Sequence, residues 1–178
     1  MNKEYRNFVL LCKKEGEKVS KIREILNDDE SILVFDVDGV LAVMEWGEYN
    51  HYGEDDETWT KMYEENSNFY TEDFVCKRMQ EFIKSKDANK IFVITKAFCE
   101  NEVEDKKNFV NKYYGIPKEH VYSVQSNIQK TDVLIGIKEK YPDLPGHKLV
   151  MIDDTVEILT NIMERTGFST AHISTFLD

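Results

Sequence analysis

Two aspartates one residue apart, Asp36 and Asp38, follow a short apolar run and precede a glycine. The run, Ile-Leu-Val-Phe at 32–35, is typical of a strand buried on both faces in a parallel sheet. Alternate residues of a strand point the same way, so both carboxylates start on one side of it, and Gly39 lets the chain turn away. They then lie at the strand's carboxyl end, where open α/β sheets bind ligands. Neighbouring carboxylates repel each other, and a hard divalent cation such as Mg²⁺ relieves that repulsion. The alternative is an Asp-Gly turn that binds nothing.

Polar side chains also stand at the ends of later apolar runs. Thr95 follows the run at 91–94, and Asp153 and Asp154 follow the run at 148–152. Lys130 opens a helical pattern that lies between them in the sequence. The carboxyl ends of parallel strands meet at one edge of a sheet, so we expect these groups to gather in one pocket beside the first aspartate pair.

Each of these later residues also has a simpler interpretation. Thr95 fits a helix N-cap, and Lys130 fits a solvated surface lysine. Asp154 and Glu157 fit a capping box for the helix that follows them. Within the helix predicted at 101–114, we interpret three charged residues as solvated: Asp105, Lys106 and Lys107.

Strand-like runs alternate with helical patterns over most of the chain, which predicts right-handed βαβ units. The predicted fold is a Rossmann-like, three-layer α/β/α domain around a parallel sheet of about five strands, with the first strand central. The predicted strands are 32–35, 91–94, 120–124, 148–152 and 170–173. The predicted helices are 73–84, 101–114, 131–140 and 155–165, with a helical segment at 1–28 and a further helix near 58–65.

Composition limits the classes of function. The chain has 178 residues and a net charge of −11, with 41% hydrophobic residues, which suits one globular domain spanning 1–178. The acidic surface argues against nucleic acid and anionic membrane as partners. The three cysteines form no pair with metal-binding spacing, and we expect reduced thiols in a cytoplasmic protein. The longest early apolar run, at 8–11, is too short for a signal peptide or a membrane span.

Taken together, four motifs resemble those of the haloacid dehalogenase-like (HAD) superfamily of phosphotransferases. They are Val-Phe-Asp-Val-Asp-Gly-Val at 34–40, Ile-Thr at 94–95, Lys-Thr-Asp-Val-Leu at 130–134 and Met-Ile-Asp-Asp-Thr at 151–155. The resemblance covers about residues 31–174. It implies a Mg²⁺-dependent phosphomonoester hydrolase that forms an aspartyl-phosphate and acts on a small phosphorylated metabolite or nucleotide.

The resemblance also implies a role for each matching residue. Asp36 is the nucleophile, and Asp38 is the general acid and base that also offers its backbone carbonyl to the metal. Thr95 binds a phosphate oxygen, and Lys130 offsets charge on the phosphate and on Asp36. Asp153 completes the Mg²⁺ shell. Asp154 is either a second metal carboxylate or the alternative to Asp153. Lys96, next to Thr95 in the sequence, could contact a second phosphate as a substrate-binding residue, but a surface role is the interpretation we favour.

The segment 42–72 is acidic and rich in aromatic residues, and it directly follows the aspartate pair. We interpret it as a small cap or lid, too short for an independent cap domain. Its rings could stack on a substrate, but a small local core is the interpretation we favour. Two other functions stay open: a non-catalytic regulatory or binding protein that keeps the fold, and a phospho-accepting receiver domain. The sequence leaves the oligomeric state undetermined.

Overall fold

The protein folds around a five-stranded parallel sheet. The computed structural model describes residues 21–43, 56–65 and 68–176. The strands are β1 (Ile32–Phe35), β2 (Ile91–Lys96), β3 (Val121–Val124), β4 (Leu149–Asp153) and β5 (Ser169–His172). Their order is β3-β2-β1-β4-β5, and every pairing is parallel. The predicted Rossmann-like α/β fold, with the first strand at the centre, is confirmed.

Six helices connect or flank the described strands. They are α1 (residues 21–27), α2 (Asp56–Glu65), α3 (Lys77–Lys84), α4 (Glu100–Tyr114), α5 (Gln129–Lys140) and α6 (Val156–Thr166). The helical prediction for 3–20 lies outside the described residues. Within the described stretches, no helix has both the length and the apolar composition needed to cross a bilayer.

One predicted helix is wrong in its first third. The pattern at 73–84 predicts a continuous helix, but a short 3₁₀ turn at Glu72–Phe74 comes first and α3 begins only at Lys77. Between them Val75 is extended and forms an antiparallel bridge with Ala42. That bridge ties the chain after β1 to the chain before α3, and a helical Val75 could not make it.

Alternation along β1 divides the core into two layers. Leu33 and Phe35 belong to the cluster that contains the buried residues of α3 and α4. Ile32 and Val34 belong to the cluster that contains the buried residues of α5 and α6. All four are at most 1% exposed, so the strand is buried on both faces, as its unbroken apolar run predicts.

Strand order distinguishes a receiver domain from the other functions that the sequence leaves open. The order 3-2-1-4-5 has the carboxyl-end acids on the central strand. Receiver domains belong to the flavodoxin-like class, whose order is 2-1-3-4-5. Here β3 is an edge strand without an aspartate at its end. The receiver interpretation is therefore wrong.

A pair of glycine substitutions tests the helix boundaries. Gly167 ends α6 with φ of 69°, in the left-handed region, whereas Gly136 lies inside α5. A methyl group added at either position meets no atom within 4 Å, so packing is not a factor. We expect Gly167→Ala to lower the free energy of unfolding by roughly 1–2 kcal/mol, because alanine resists that backbone conformation. We expect Gly136→Ala to raise it by roughly 0.5–1 kcal/mol, because alanine favours the helix. Urea unfolding measures both, and effects of the same sign would contradict the boundary.

Candidate active site

Asp36 is fixed where β1 ends at the carboxyl edge of the sheet. Its backbone N–H donates to the carbonyl of Ile152 in β4 (2.9 Å), so it continues the sheet by one residue. Its Oδ1 accepts from the N–H of Val37 (2.8 Å), which sets the orientation of the carboxylate. The chain then turns at Gly39, with φ of 75°, and leaves the edge. Asp36 is 7% exposed, so its carboxylate is largely withdrawn from water.

Lys130 links the first and fourth strands of the sequence across this edge. Its Nζ lies 2.7 Å from Oδ2 of Asp36 and 2.8 Å from Oδ2 of Asp153. The lysine is 1% exposed. The solvated-lysine interpretation is therefore wrong, and the first turn of α5 delivers an ammonium group between the ends of β1 and β4.

A third carboxylate makes this edge strongly acidic. Ligand oxygens of Asp36, Asp153 and Asp154 all lie within 4.8 Å of one another. Asp153 is fully buried, and its Oδ1 accepts from the N–H of Thr155 (2.9 Å). Among the described residues, Asp36 and Asp153 share the ammonium group of Lys130. A set of clustered carboxylate oxygens is the kind of donor set that a hard divalent cation binds.

Burial and neighbouring charges shift the pKa values of two residues at this edge. Burial raises the pKa of Asp36 to about 6, with smaller contributions from the charges of Asp153 and Asp38, against the lowering effect of Lys130. Burial lowers the pKa of Lys130, but the nearby carboxylates of Asp36 and Asp153 outweigh it and hold that pKa above the usual value. Lys130 therefore stays charged, and burial is the main reason that the pKa of Asp36 is raised in spite of that charge.

Thr95 lies near the end of β2, the strand beside β1. Phe35 pairs with Val93, so Thr95 is two residues further toward the same carboxyl edge. It is 1% exposed, and its hydroxyl donates to the carbonyl of Lys96 (3.3 Å). The N-cap interpretation is wrong, because α4 begins after Cys99. The ammonium of Lys96 lies 4.2 Å from the ring centroid of Phe98, and its predicted phosphate contact stays a prediction.

Asp38 is held by a second buried lysine. Lys106 of α4 places its Nζ 2.7 Å from Oδ2 of Asp38 and 2.7 Å from Oε1 of Glu102. The other oxygen of Asp38 accepts from the Tyr70 hydroxyl. Lys106 is 1% exposed, so its interpretation as a solvated charge is wrong.

Asp105 was also interpreted as solvated, and it is 5% exposed. Its Oδ2 accepts from the backbone N–H groups of Phe69 (2.7 Å) and Tyr70 (3.1 Å). Burial raises the pKa of this carboxyl, and the two N–H donors oppose the rise. Of the three charges read as solvated, Lys107 is partly exposed, with 27% of its side chain accessible.

A signal for these buried charges is present in the sequence. The buried positions of α4 are 102, 105, 106, 109, 110 and 114, which repeat at the three- and four-residue spacing of one helix face. Charged residues occupy the first two turns of that face and apolar residues the rest. A prediction of exposure from charge alone is wrong on this face, whereas the spacing of the residues indicates that the face is buried.

The described part of the lid segment forms an aromatic cluster. Trp59 and Tyr63 of α2 pack against Phe69, with ring centroids 5.4 and 5.3 Å away. Tyr70 packs on Phe109 of α4, at 5.4 Å. These rings form the local core that we favoured. The other lid aromatics lie outside the described residues: Trp46, Tyr49, His51 and Tyr52.

The capping box expected before α6 is wrong. Thr155 is the N-cap residue of that helix, and no side chain caps it. Asp154 precedes the cap position, and its Oδ1 accepts from the Thr155 hydroxyl (3.3 Å). Asp154 therefore belongs to the acidic group at the sheet edge and not to the first turn of the helix.

Comparison with known proteins bears on the fold. No protein-family model matches the chain, and no curated protein sequence matches it. Among solved structures, it is similar to DsGPDH of Dunaliella salina, with 16% sequence identity and a TM-score of 0.53, over 86% of this chain and 25% of that one. It is also similar to the HAD domain of the effector protein Lem4 from Legionella pneumophila, with 14% identity and a TM-score of 0.44, over 80% of this chain and 85% of that one.

These similarities show a shared fold and nothing finer. The chain spans a quarter of the length of the DsGPDH chain it matches, and the lower TM-score of the Lem4 domain carries no argument. The fold is an α/β Rossmann-like domain, and its carboxyl edge carries an acidic cluster in which Asp36 and Asp153 are buried.

Removal of the ammonium group of Lys130 tests how much that group compensates the carboxylates around it. We expect Lys130→Met to lower the free energy of unfolding by about 3–5 kcal/mol in the presence of a chelator, because Asp36 and Asp153 lose their buried cation. Urea unfolding at neutral pH measures the change. Lys140→Met on the exposed side of the same helix is the matched control, with an expected change below about 1 kcal/mol. Equal small losses for both variants would show that Lys130 does not compensate the carboxylates.

Proposed function

We propose that the protein is a Mg²⁺-dependent phosphomonoester hydrolase that works through an aspartyl-phosphate on Asp36. The observation that carries the proposal is the buried ion-pair triad of Lys130 with Asp36 and Asp153 at the carboxyl edge of the sheet. Asp38 lies two residues beyond the proposed nucleophile, with 23% of its side chain exposed. The order of these groups along the chain matches the HAD motifs, and their position matches the ligand edge of an α/β sheet.

The donor set suits Mg²⁺. Asp36, Asp153 and Asp154 would hold the ion, together with the backbone carbonyl of Asp38. The bound ion would supply positive charge that offsets the repulsion between a phosphoryl group and the carboxylates. The clustering of the three carboxylates supports this assignment, because their ligand oxygens lie within 4.8 Å of one another.

The residues of the chain would divide the reaction between them. A carboxylate oxygen of Asp36 forms a bond to phosphorus while the ester P–O bond breaks, and Asp38 gives its proton to the leaving oxygen. Water then attacks the phosphorus of the aspartyl-phosphate, Asp38 takes a proton from that water, and the bond between Asp36 and phosphorus breaks. Inorganic phosphate is released, the carboxylate of Asp36 is regenerated, and Asp38 again carries the proton that it gave to the leaving oxygen. Lys130 stays protonated throughout and offsets charge on Asp36 and on the phosphate.

Thr95 and Lys96 complete the proposed phosphate site from β2. A small rotation would turn the Thr95 hydroxyl from the Lys96 carbonyl, at 3.3 Å, toward a phosphate oxygen. Lys96 would have to leave the Phe98 ring to reach a phosphate. Thr95 is therefore the better supported of the two. The substrate class we propose is a small phosphorylated metabolite or nucleotide, bound without nucleic acid or membrane partners.

A substrate screen tests the function directly. The purified full chain with Mg²⁺ is assayed for phosphate release against a panel of phosphorylated metabolites and nucleotides. Asp36→Asn, which keeps the shape of the side chain, is the control for contaminating phosphatase. Release that depends on Asp36 supports the proposal. Its absence across the panel, with para-nitrophenyl phosphate included, would favour the non-catalytic alternative.

Substitution of the two motif aspartates should give distinct kinetic defects. We expect Asp36→Asn to abolish turnover, because no other group takes the place of the nucleophile. We expect Asp38→Asn to slow turnover by roughly 10²–10⁴-fold and to accumulate phosphoenzyme with para-nitrophenyl phosphate, because the good leaving group needs little acid catalysis. Quenched-flow detection of labelled protein measures the phosphoenzyme. Wild-type rates in Asp36→Asn would mean that a different nucleophile is at work.

Binding of Mg²⁺ should depend on pH through Asp36. The ion binds the carboxylate form, and protons compete for that form below a pKa of about 6. Between about pH 6 and pH 5 we expect the Mg²⁺ affinity to fall by up to tenfold, whereas it should change little above about pH 7. Isothermal titration calorimetry in several buffers measures the affinity and the proton release. In Asp36→Asn the affinity should be weaker, and the part of the pH dependence due to Asp36 should vanish; an unchanged profile would assign it to other groups.

A further inference from the structure

We infer that Lys106 is a positioning residue that holds Asp38 in place for proton transfer, and that helix α2 completes this support through Trp59. The inference rests on the proposed function, because it concerns the group that moves the proton in that reaction. It adds a second buried lysine with a different task from Lys130. The support consists of five residues that we call the Asp38 cage: Trp59, Tyr70, Phe98, Glu102 and Lys106.

The contacts of Lys106 leave its ammonium group no free donor. It donates to Oδ2 of Asp38 and to Oε1 of Glu102, each at 2.7 Å, and also to the backbone carbonyl of Lys96. A lysine ammonium has three N–H donors, and all three are used. Lys106 therefore acts on Asp38 and not on a phosphate group, which separates its role from that proposed for Lys130.

Both carboxylate oxygens of Asp38 are held. Oδ2 pairs with Lys106, and Oδ1 accepts from the hydroxyl of Tyr70. Two partners on opposite oxygens fix the rotation of the carboxylate plane as well as its position. A group that transfers protons must lie about 2.6–3.2 Å from its partner atom, so this fixation matters for the reaction.

The cage is anchored to elements on both sides. Glu102 accepts from the indole N–H of Trp59 in α2 (3.2 Å) and from the N–H of Phe98 (2.7 Å). One turn further along α4, Asp105 accepts from the N–H of Tyr70. The same helix therefore holds Asp38 through Lys106 and holds α2 and the Tyr70 backbone through its acids.

Stability alone does not explain this arrangement. Glu102 and Lys106 are each 1% exposed and occupy the inward face of α4. Buried ion pairs can often be replaced by packed apolar side chains with no loss of stability. The buried pair is more readily explained by its contact with Asp38, the partly exposed carboxylate at its outer end.

A double-mutant cycle on kcat tests the inference. The variants are Asp38→Asn, Lys106→Met and the two combined, assayed with para-nitrophenyl phosphate. We expect Lys106→Met to lower kcat by roughly 10–10²-fold, because a displaced proton carrier works poorly. We expect the combined variant to fall within about twofold of Asp38→Asn alone, because Lys106 acts only through Asp38. Lys107→Met, whose side chain is partly exposed and lies 3.5 Å from Glu104, is the matched control and should keep the wild-type kcat.

A second readout separates positioning from a general structural effect. If Asp38 is displaced, Lys106→Met should accumulate phosphoenzyme, since water attack on the aspartyl-phosphate needs the base. Tyr70→Phe removes the other bond to Asp38 without leaving a buried charge unpaired, and the cycle is repeated with it if Lys106→Met does not fold. Losses that multiply in the combined variants, without phosphoenzyme, would overturn the inference while leaving the proposed function intact. A wild-type protein without Asp36-dependent turnover would instead overturn the proposed function, and the inference with it.

Discussion

The site depends on the burial of carboxylates at the carboxyl edge of the sheet. Lys130 is the buried cation that contacts Asp36 and Asp153, and Asp154 adds a third carboxylate within reach. Charge withdrawn from water is costly unless it is compensated. The burial of Asp36 and Asp153 is therefore compensated by Lys130, which the start of α5 brings to the edge. The need for a compensating charge therefore links three parts of the fold. They are the crossover from β3 to β4, the start of α5 and the turn after β1.

Two buried lysines divide the acids of the first motif between them. Lys130 approaches Asp36 from α5, on the face of the sheet that α6 also covers, and Lys106 approaches Asp38 from α4, on the opposite face. The aspartates are only two residues apart, but the chain turns between them. The turn at Gly39 lets each carboxylate find a different partner. Neighbouring carboxylates with separate partners can have separate chemical tasks, which is what a nucleophile and an adjacent proton carrier require.

The lid segment is joined to the same charge system. Trp59 of α2 contacts Glu102, and the backbone of Tyr70 contacts Asp105. The aromatic rings between them form a local core. The described part of the lid is thus attached to the core through buried acids of α4.

The sequence by itself determined the features that depend on local pattern. A parallel sheet with a polar edge is predicted by the apolar run at 32–35, by the alternation of strands and helices, and by the acids and the threonine at strand ends. The spacing of apolar residues and the residue types at strand ends are local properties, so the sequence alone contains them. The helix start at Lys77 was missed, because an extended Val75 is imposed by Ala42, which is far away in the sequence.

Only the tertiary structure decided which groups compensate the buried charges. The Lys130–Asp36 pair joins residues 94 positions apart, and no local pattern distinguishes that lysine from an exposed one at a helix start. The spacing of α4 indicates that Lys106 and Asp105 lie on its buried face, but only the fold brings Asp38 and the Tyr70 backbone against them. The physical reason is that burial of a charge depends on a compensating group, and the fold brings that group from another part of the chain.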